Sequence, residues 1–216
     1  MNFSTDRIKN FLFLPKNHEY DDELYGPLLK LVPFGKTVLV ITRPTSSPEL
    51  LPLMEQAGVQ VYNNKQSLRR FIFICSDNII GVIKILFDIH RWAVKPHIIV
   101  LDLNTFSLME NENTHIPNEM CKDLSSGTPL KLVMLCIATL FNKMNVLNNM
   151  HSNAVEGDKE SSKIFSVVVL PKSSRLLTEE DIELVINMFY CNNAYENFTN
   201  IFELIYSTVS PDKVLE

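Results

Sequence analysis

The chain has 216 residues, of which 46% are hydrophobic and 21% are charged. This balance excludes a wholly disordered chain and leaves enough apolar side chains for the core of a single domain over residues 1–216. The 20 Lys and Arg residues against 25 Asp and Glu residues give a formal charge of −5, which excludes a protein that binds nucleic acid over its whole surface, so any contact with DNA must be local.

The cysteines and the N-terminal residues indicate a reducing compartment, the cytosol or the nucleus. No two of the 4 cysteines share CxxC spacing, and no histidine lies at metal-ligand spacing from them. Cys75 and Cys136 lie in apolar runs, so we expect free buried thiols at both positions. The polar N-terminus and the absence of a run of about 18 apolar residues predict neither a secretory signal nor a membrane span.

Predicted strands and helices alternate along the chain. Runs of apolar and β-branched residues predict strands at Phe11–Leu14, Thr37–Thr42, Arg70–Cys75, His97–Asp102, Phe165–Leu170 and Ile201–Ser207. Helical spacing of apolar residues predicts helices at Ser47–Ala57, Asn78–Trp92, Leu130–Leu147 and Thr178–Tyr190, and a weak one at Asp21–Leu31 that Gly26 and Pro27 interrupt. The alternation, with strands apolar on both faces, predicts an α/β fold with a mostly parallel sheet.

Two polar stretches and two helix starts complete the predicted elements. Phe106–Met120 is polar and acidic and residues 151–163 are polar, so both are predicted as loops. We interpret residues 151–163 as an excursion within one domain rather than a domain boundary. Ser76 is placed to cap the helix that follows it, and Thr178 precedes acids that suit the positive end of a helix dipole.

Gly35-Lys36-Thr37 has the ending of a phosphate-binding P-loop, but its surroundings differ. A P-loop needs a glycine five residues before Gly35, where the chain has Lys30. It also needs a helix whose N-terminus faces the phosphates, whereas Thr37 begins a predicted strand. We therefore do not expect phosphate to bind here.

Asp102 follows four large apolar residues at the end of a predicted strand. This pattern is typical of the strand that holds Mg²⁺ beside a nucleotide, at the sheet edge where α/β proteins bind ligands. The alternative is a polar strand end without a metal. That alternative is favoured, because a magnesium ion has little reason to bind where no loop cradles the phosphates.

Basic residues form two small groups near predicted strand ends. Arg69 and Arg70 lie at the start of one strand, and Lys172 and Arg175 follow another. Such residues are usually solvated, and the functional alternative is a small strip that contacts DNA phosphates. Residues 179–203 contain six acids and no Lys or Arg, so this region is predicted to repel a phosphate backbone and to suit a basic partner.

In order and spacing, the chain resembles a RecA-like recombinase core, in the minimal form of the recombinase paralogues that partner the SWIM-domain zinc protein of Shu complexes. Phe11–Leu14 takes the place of the strand before the P-loop, and Val38–Pro44 resembles the second strand with its Thr-Arg ending. Ile98–Asp102 resembles the Mg²⁺ strand, and Phe165–Leu170 takes the place of the strand before the second DNA loop. Arg69–Ile74 resembles the third strand, and the helix up to Trp92 leads from it to the Mg²⁺ strand. The resemblance covers most of residues 8–207.

The resemblance implies a RecA-like three-layer core with a mostly parallel central sheet and a degenerate P-loop. After Leu14 the chain reads Pro15-Lys16-Asn17-His18-Glu19-Tyr20-Asp21-Asp22, with neither a glycine nor a Lys-Ser/Thr pair. Without glycine, backbone N–H groups cannot come close to a phosphate, and the acids repel it. We therefore expect no ATP or magnesium cofactor, and Asp102 becomes a relic of a nucleotide site.

The implied function is that of a non-catalytic, nuclear subunit of a Shu-type complex. It would bind a SWIM-domain zinc protein and support recombinase filaments on single-stranded DNA in homologous recombination repair. Any direct DNA contact would be weak and would use Lys172, Arg175, Arg69 and Arg70.

Two other functions stay open. One is a nucleotide hydrolase with an unusual phosphate loop, which would use Asp102 for Mg²⁺ and Lys16 or Lys36 for phosphate. The other is an unrelated α/β protein-interaction domain.

Overall fold

A six-stranded parallel sheet forms the centre of the fold in a computed structural model, which describes residues 8–16, 19–44, 69–104, 106, 128–154, 163–170 and 177–209. The strands are β1 (Ile8–Phe13), β2 (Val38–Thr42), β3 (Phe71–Cys75), β4 (Ile98–Asp102), β5 (Ile164–Val169) and β6 (Ala194–Tyr195). Their order in the sheet is β3-β2-β4-β5-β1-β6, and every neighbouring pair is parallel.

The central strands are buried because they are apolar on both faces. Every residue of β2, β4 and β5 is buried, as expected for a parallel sheet that is covered on both sides. One polar pair lies within the sheet, where Ser166 on β5 donates a 2.6 Å hydrogen bond to the side-chain oxygen of Asn10 on β1. These two residues are direct partners in the strand register, so the bond satisfies both polar groups.

Helices cover both faces of the sheet. They are α1 (Asp21–Leu29), α2 (Ile79–Asp88), α3 (Pro129–Ala154), α4 (Glu179–Val185) and α5 (Phe198–Val209). Buried side chains of α2, α3 and α4 join one apolar core, and those of α1 and α5 join a second core on the opposite face. The predicted α/β fold with a parallel sheet is therefore confirmed.

The predicted last strand, Ile201–Ser207, is wrong because this segment belongs to α5. Phe198, Ile201 and Ile205 are buried at spacings of three and four residues, which is the period of a helix. The two-residue strand β6, just before α5, was not predicted, because a strand of that length carries no periodic pattern.

Two helices are longer or more continuous than predicted. α1 runs through Pro27 without interruption, since its buried residues hold it against the sheet. α3 continues to Ala154, so the helix includes the first residues of the predicted loop at 151–163. By length and composition alone, residues 129–150 could cross a membrane, but in this fold one side of the helix packs into the core over the sheet.

Two local predictions are corrected. Asn78, not Ser76, caps α2, because its side chain accepts a 2.8 Å hydrogen bond from the Gly81 N–H. Cys75 is exposed rather than buried, since it ends β3 at the side of the sheet, whereas Cys136 is buried as predicted. The predicted helix Ser47–Ala57 and the predicted loop Phe106–Met120, apart from the buried Phe106, lie outside the described residues.

Candidate functional site

Asp102 lies at the carboxyl edge of the sheet, as its position at the end of β4 predicts. Ligands of parallel α/β proteins bind at this edge. β1 and β4 both pair with β5 in parallel, so all three strands end at the same edge of the sheet. The chain that leaves β1 after Phe13 and the side chain of Asp102 therefore both lie at this edge. This edge is where the resemblance puts a nucleotide.

The carboxyl group of Asp102 is enclosed by protein. The Tyr20 hydroxyl donates a 2.7 Å hydrogen bond to Oδ1 of Asp102, and the Asn104 backbone N–H donates a second bond of 3.2 Å to the same oxygen. Asp102 is 1% exposed and Tyr20 is 3% exposed. A cation from solvent therefore has no open path to this carboxyl group in the described structure.

Burial changes the acidity of the whole cluster. It raises the pKa of Asp102 from 3.8 to about 7, although the hydrogen bonds from Tyr20 and Asn104 act in the opposite direction. Burial and the charge of Asp102 raise the pKa values of Tyr20 and Tyr25 far above 10. The Tyr25 hydroxyl is also buried and lies close enough to Asp102 for the charge of that carboxyl group to raise the pKa of Tyr25.

The chemistry of this cluster does not suit magnesium. Mg²⁺ binds ionised oxygen ligands and keeps several of its own waters, which a closed, tyrosine-capped carboxyl cannot accommodate. Among the described residues, no group of three or more His, Cys, Asp and Glu side chains is placed to hold a metal ion.

The helix after β1 also lacks the properties of a phosphate site. In a P-loop protein this helix points the positive end of its dipole at the phosphates. The first turn of α1 instead carries Asp21, Asp22 and Glu23. Partial burial and, to a smaller extent, the charge of neighbouring Asp22 raise the pKa of Asp21 above its usual value.

An open pocket of about 300 Å³ lies beside this turn and is predominantly acidic. It is lined by Pro15, Lys16, Glu19, Tyr20, Glu23, Glu196 and Asn197. Lys16 lies 3.5 Å from Glu196, and Glu23 accepts a 2.8 Å hydrogen bond from the Phe198 N–H at the start of α5. Three carboxylates against one lysine give this lining a net negative charge, which repels a triphosphate.

Gly35, Lys36 and Thr37 lie at the opposite edge of the sheet. Gly35 ends a 3₁₀ turn at Val32–Phe34 with a φ of 77°, a conformation that favours glycine. The chain then enters β2, as the sequence predicts. Since Val38 pairs with Ile98 in parallel register, Lys36 lies at the amino edge, at least about 13 Å along the strands from Asp102.

The predicted basic strip is described only in part. Arg69 and Arg70 are exposed and precede β3, so they lie at the amino edge of the sheet. Arg70 donates a hydrogen bond to the Gly35 carbonyl. Lys172 and Arg175 lie outside the described residues, and Leu170, the last described residue before them, is at the carboxyl edge.

Tyr20 and Tyr25 were missed by sequence reasoning. A signal for Tyr20 was present, because Tyr20, Leu24 and Leu28 share helical spacing and all three are buried. The hydroxyl contact with Asp102 joins residues 82 positions apart, which no local pattern reveals.

No protein-family model matches the chain, and no curated protein matches it either.

Proposed function

We propose that the protein is a non-catalytic, recombinase-like subunit of a Shu-type complex. It binds a SWIM-domain zinc protein and supports the assembly of recombinase filaments on single-stranded DNA in the nucleus. It acts by docking to proteins rather than by hydrolysing a nucleotide.

The order of the strands supports the proposal. An all-parallel sheet in the order β3-β2-β4-β5-β1-β6, with helices on both faces, is consistent with a RecA-like core. The resemblance equates β1 with the P-loop strand and β4 with the Mg²⁺ strand. Both strands flank β5, so their carboxyl ends lie at the same part of the sheet edge.

The observation that carries the proposal is the contact between Tyr20 and Asp102. Tyr20 comes from the segment that takes the place of a P-loop, and its hydroxyl covers the carboxyl group that takes the place of a magnesium ligand. The acidic pocket and the acidic first turn of α1 act in the same direction, since both repel phosphate.

Titration calorimetry with Mg-ATP tests the non-catalytic part of the proposal. We expect a dissociation constant weaker than about 1 mM for the wild-type protein. The Asp102→Asn variant, which keeps the shape of the side chain, is expected to give the same trace. Micromolar binding that this variant abolishes would contradict the proposal and favour the nucleotide hydrolase.

Co-expression tests the docking part. The chain is expressed with the SWIM-domain zinc protein and with the recombinase of the same organism, and each pair is purified through a tag on the chain. We expect a stable complex with at least one of them, lost in Val40→Asp, which puts a charge into the fully buried centre of β2. A chain that unfolds cooperatively but retains neither protein would contradict the proposal and leave an unrelated interaction domain.

A further inference from the structure

A second pocket, of about 270 Å³, opens on the other side of the chain that leaves β1. It is lined by Leu14, Glu179, Ile182, Glu183 and Ile186. Leu14 and Ile182 belong to the core that α2, α3 and α4 share and Ile186 packs against it, whereas Tyr20 belongs to the core on the opposite face of the sheet. The pocket is therefore separate from the cluster around Asp102.

The lining comes mostly from one face of a helix. Glu179, Ile182, Glu183 and Ile186 follow the spacing of residues that share a helix face, and the capping box between Thr178 and Asp181 fixes where that helix begins. Leu14 and Ile182 are nearly buried and Ile186 is half-buried, so they form an apolar floor. The exposed Glu179 and Glu183 form an acidic rim.

The rim charges face the positive end of the helix dipole, and within the described part of the chain no basic side chain pairs with them. Neither Glu179 nor Glu183 forms an ion pair with any residue that the structure describes. Residues 179–203 contain six acids and no Lys or Arg, so the helix supplies no basic side chain of its own. An occupant that brings positive charge is favoured by Coulomb attraction at this rim.

The volume limits what can enter. The pocket measures about 270 Å³, at the lower end of the size of ligand pockets, and offers room for one or two side chains. An apolar floor with a charged rim is the arrangement that receives an apolar anchor residue from a peptide whose flanking residues carry the opposite charge.

We propose that this pocket is a docking site for a short basic segment of another protein. One apolar side chain of leucine size inserts against Leu14, Ile182 and Ile186, and Lys or Arg residues on either side of it pair with Glu179 and Glu183. The inference goes beyond the function proposed above, because it does not depend on which protein carries the segment.

Fluorescence anisotropy with synthetic peptides tests the proposal on the full chain. The probe is a labelled peptide with the core Lys-Arg-Leu-Arg-Lys, matched by one with alanine in place of leucine and by one with Glu and Asp in place of the basic residues. We expect the basic leucine peptide to bind at least about tenfold more tightly than either matched peptide. Its affinity is expected to fall as salt is added.

Two variants locate the binding. Glu179→Gln with Glu183→Gln removes the rim charge and is expected to weaken binding of the basic leucine peptide at least about tenfold. Ile186→Ala removes apolar contact surface from the floor of the pocket. It is expected to reduce the preference of the protein for the leucine peptide over the alanine peptide. Glu203→Gln, at an exposed acid on α5, is the matched control and is expected to bind as the wild type does. Thermal unfolding of each variant shows that it is folded.

Three results would overturn the proposal. One is equal binding of the leucine and alanine peptides, since charge alone would then explain the affinity. Another is failure of every peptide to bind the folded wild-type protein. The third is a dimer in analytical ultracentrifugation that the double glutamine variant abolishes, because the occupant would then be a second copy of this chain.

Discussion

The hydroxyl of Tyr20 donates a 2.7 Å hydrogen bond to the buried carboxyl group of Asp102. Tyr20→Phe removes this donor and leaves the ring in place. We expect the free energy of unfolding to fall by about 1–3 kcal/mol, the cost of leaving a buried polar group with an unmade bond. Urea denaturation measures the change. Tyr206→Phe is the control, since Tyr206 is partly exposed and packs through its ring. Equal stability of the two variants would show that the Tyr20 bond contributes nothing.

Asp102 also makes stability depend on pH. Its pKa is about 7 in the folded protein against 3.8 as the ordinary value, so the folded state holds more protons at this group between these two values. Its contribution is complete below about pH 4 and is lost as the pH rises through about 7. The wild type should therefore exceed Asp102→Asn in stability by more at about pH 5 than at about pH 8.

Urea unfolding at both pH values measures that difference. Asp88→Asn is the control, because Asp88 is an exposed carboxylate paired with Arg91 at 3.3 Å. A difference between wild type and Asp102→Asn that stays constant with pH would show that Asp102 titrates alike in the folded and unfolded chains.

The sequence predicts the parts of the site that depend on neighbouring residues, but not the contacts between residues that are far apart along the chain. The position of Asp102 at the end of a buried strand was predicted from a local apolar run, and it is confirmed. The partner of Asp102 was not predicted, because the segment of Tyr20 reaches it only through the order of the strands. The lack of glycine after Leu14 was readable, whereas the tyrosine that covers the carboxyl was not.

At the scale of elements, α4 begins with a complete capping box at Thr178, where the sequence predicted the start of a helix. The Thr178 side chain accepts from the Asp181 N–H at 3.2 Å, and the Asp181 side chain accepts from the Thr178 N–H at 3.1 Å. Thr178→Ala is expected to reduce the free energy of unfolding by about 1 kcal/mol. Urea denaturation measures this, with Thr208→Ala in α5 as the control. An effect no larger than that of the control would contradict the capping role.

The element that the sequence predicted wrongly shows where pattern reasoning fails. Ile201–Ser207 was interpreted as a strand because it contains Ile, Phe and Tyr residues that favour strands. Its buried positions follow a helical period once Phe198 is included, and Phe198 packs on Phe13 of β1 with ring centroids 5.5 Å apart. Packing against the sheet outweighed the intrinsic preference of these residues.

At the scale of the whole molecule, the cysteines report global unfolding. Cys136 is fully buried and burial raises the pKa of its thiol to about 12, whereas Cys75 and Cys191 are exposed. A maleimide is expected to label Cys75 and Cys191 in the folded protein and Cys136 only as the molecule unfolds. Peptide mass spectrometry over a urea series measures each site. Labelling of Cys136 as fast as Cys75 without urea would contradict the position of α3 in the core.

The fold class was predictable because each of the five longer strands contains at least three consecutive apolar residues, such as Val38–Ile41 and Ile98–Leu101. The order in which the strands pair was not predictable from any single run. It places β1 between β5 and β6, which depends on contacts between the beginning and the end of the chain.

The interior position of β1 has a consequence for how the protein is made. Asn10 on β1 pairs with Ser166 on β5, and 156 residues separate them. At a synthesis rate of about 5–20 residues per second, the ribosome exposes β1 for roughly 8–30 s before its first neighbour in the sheet emerges. During that time an apolar strand has no native partner, which favours aggregation. The sheet around β1 can therefore close only after residues beyond 164 have been added.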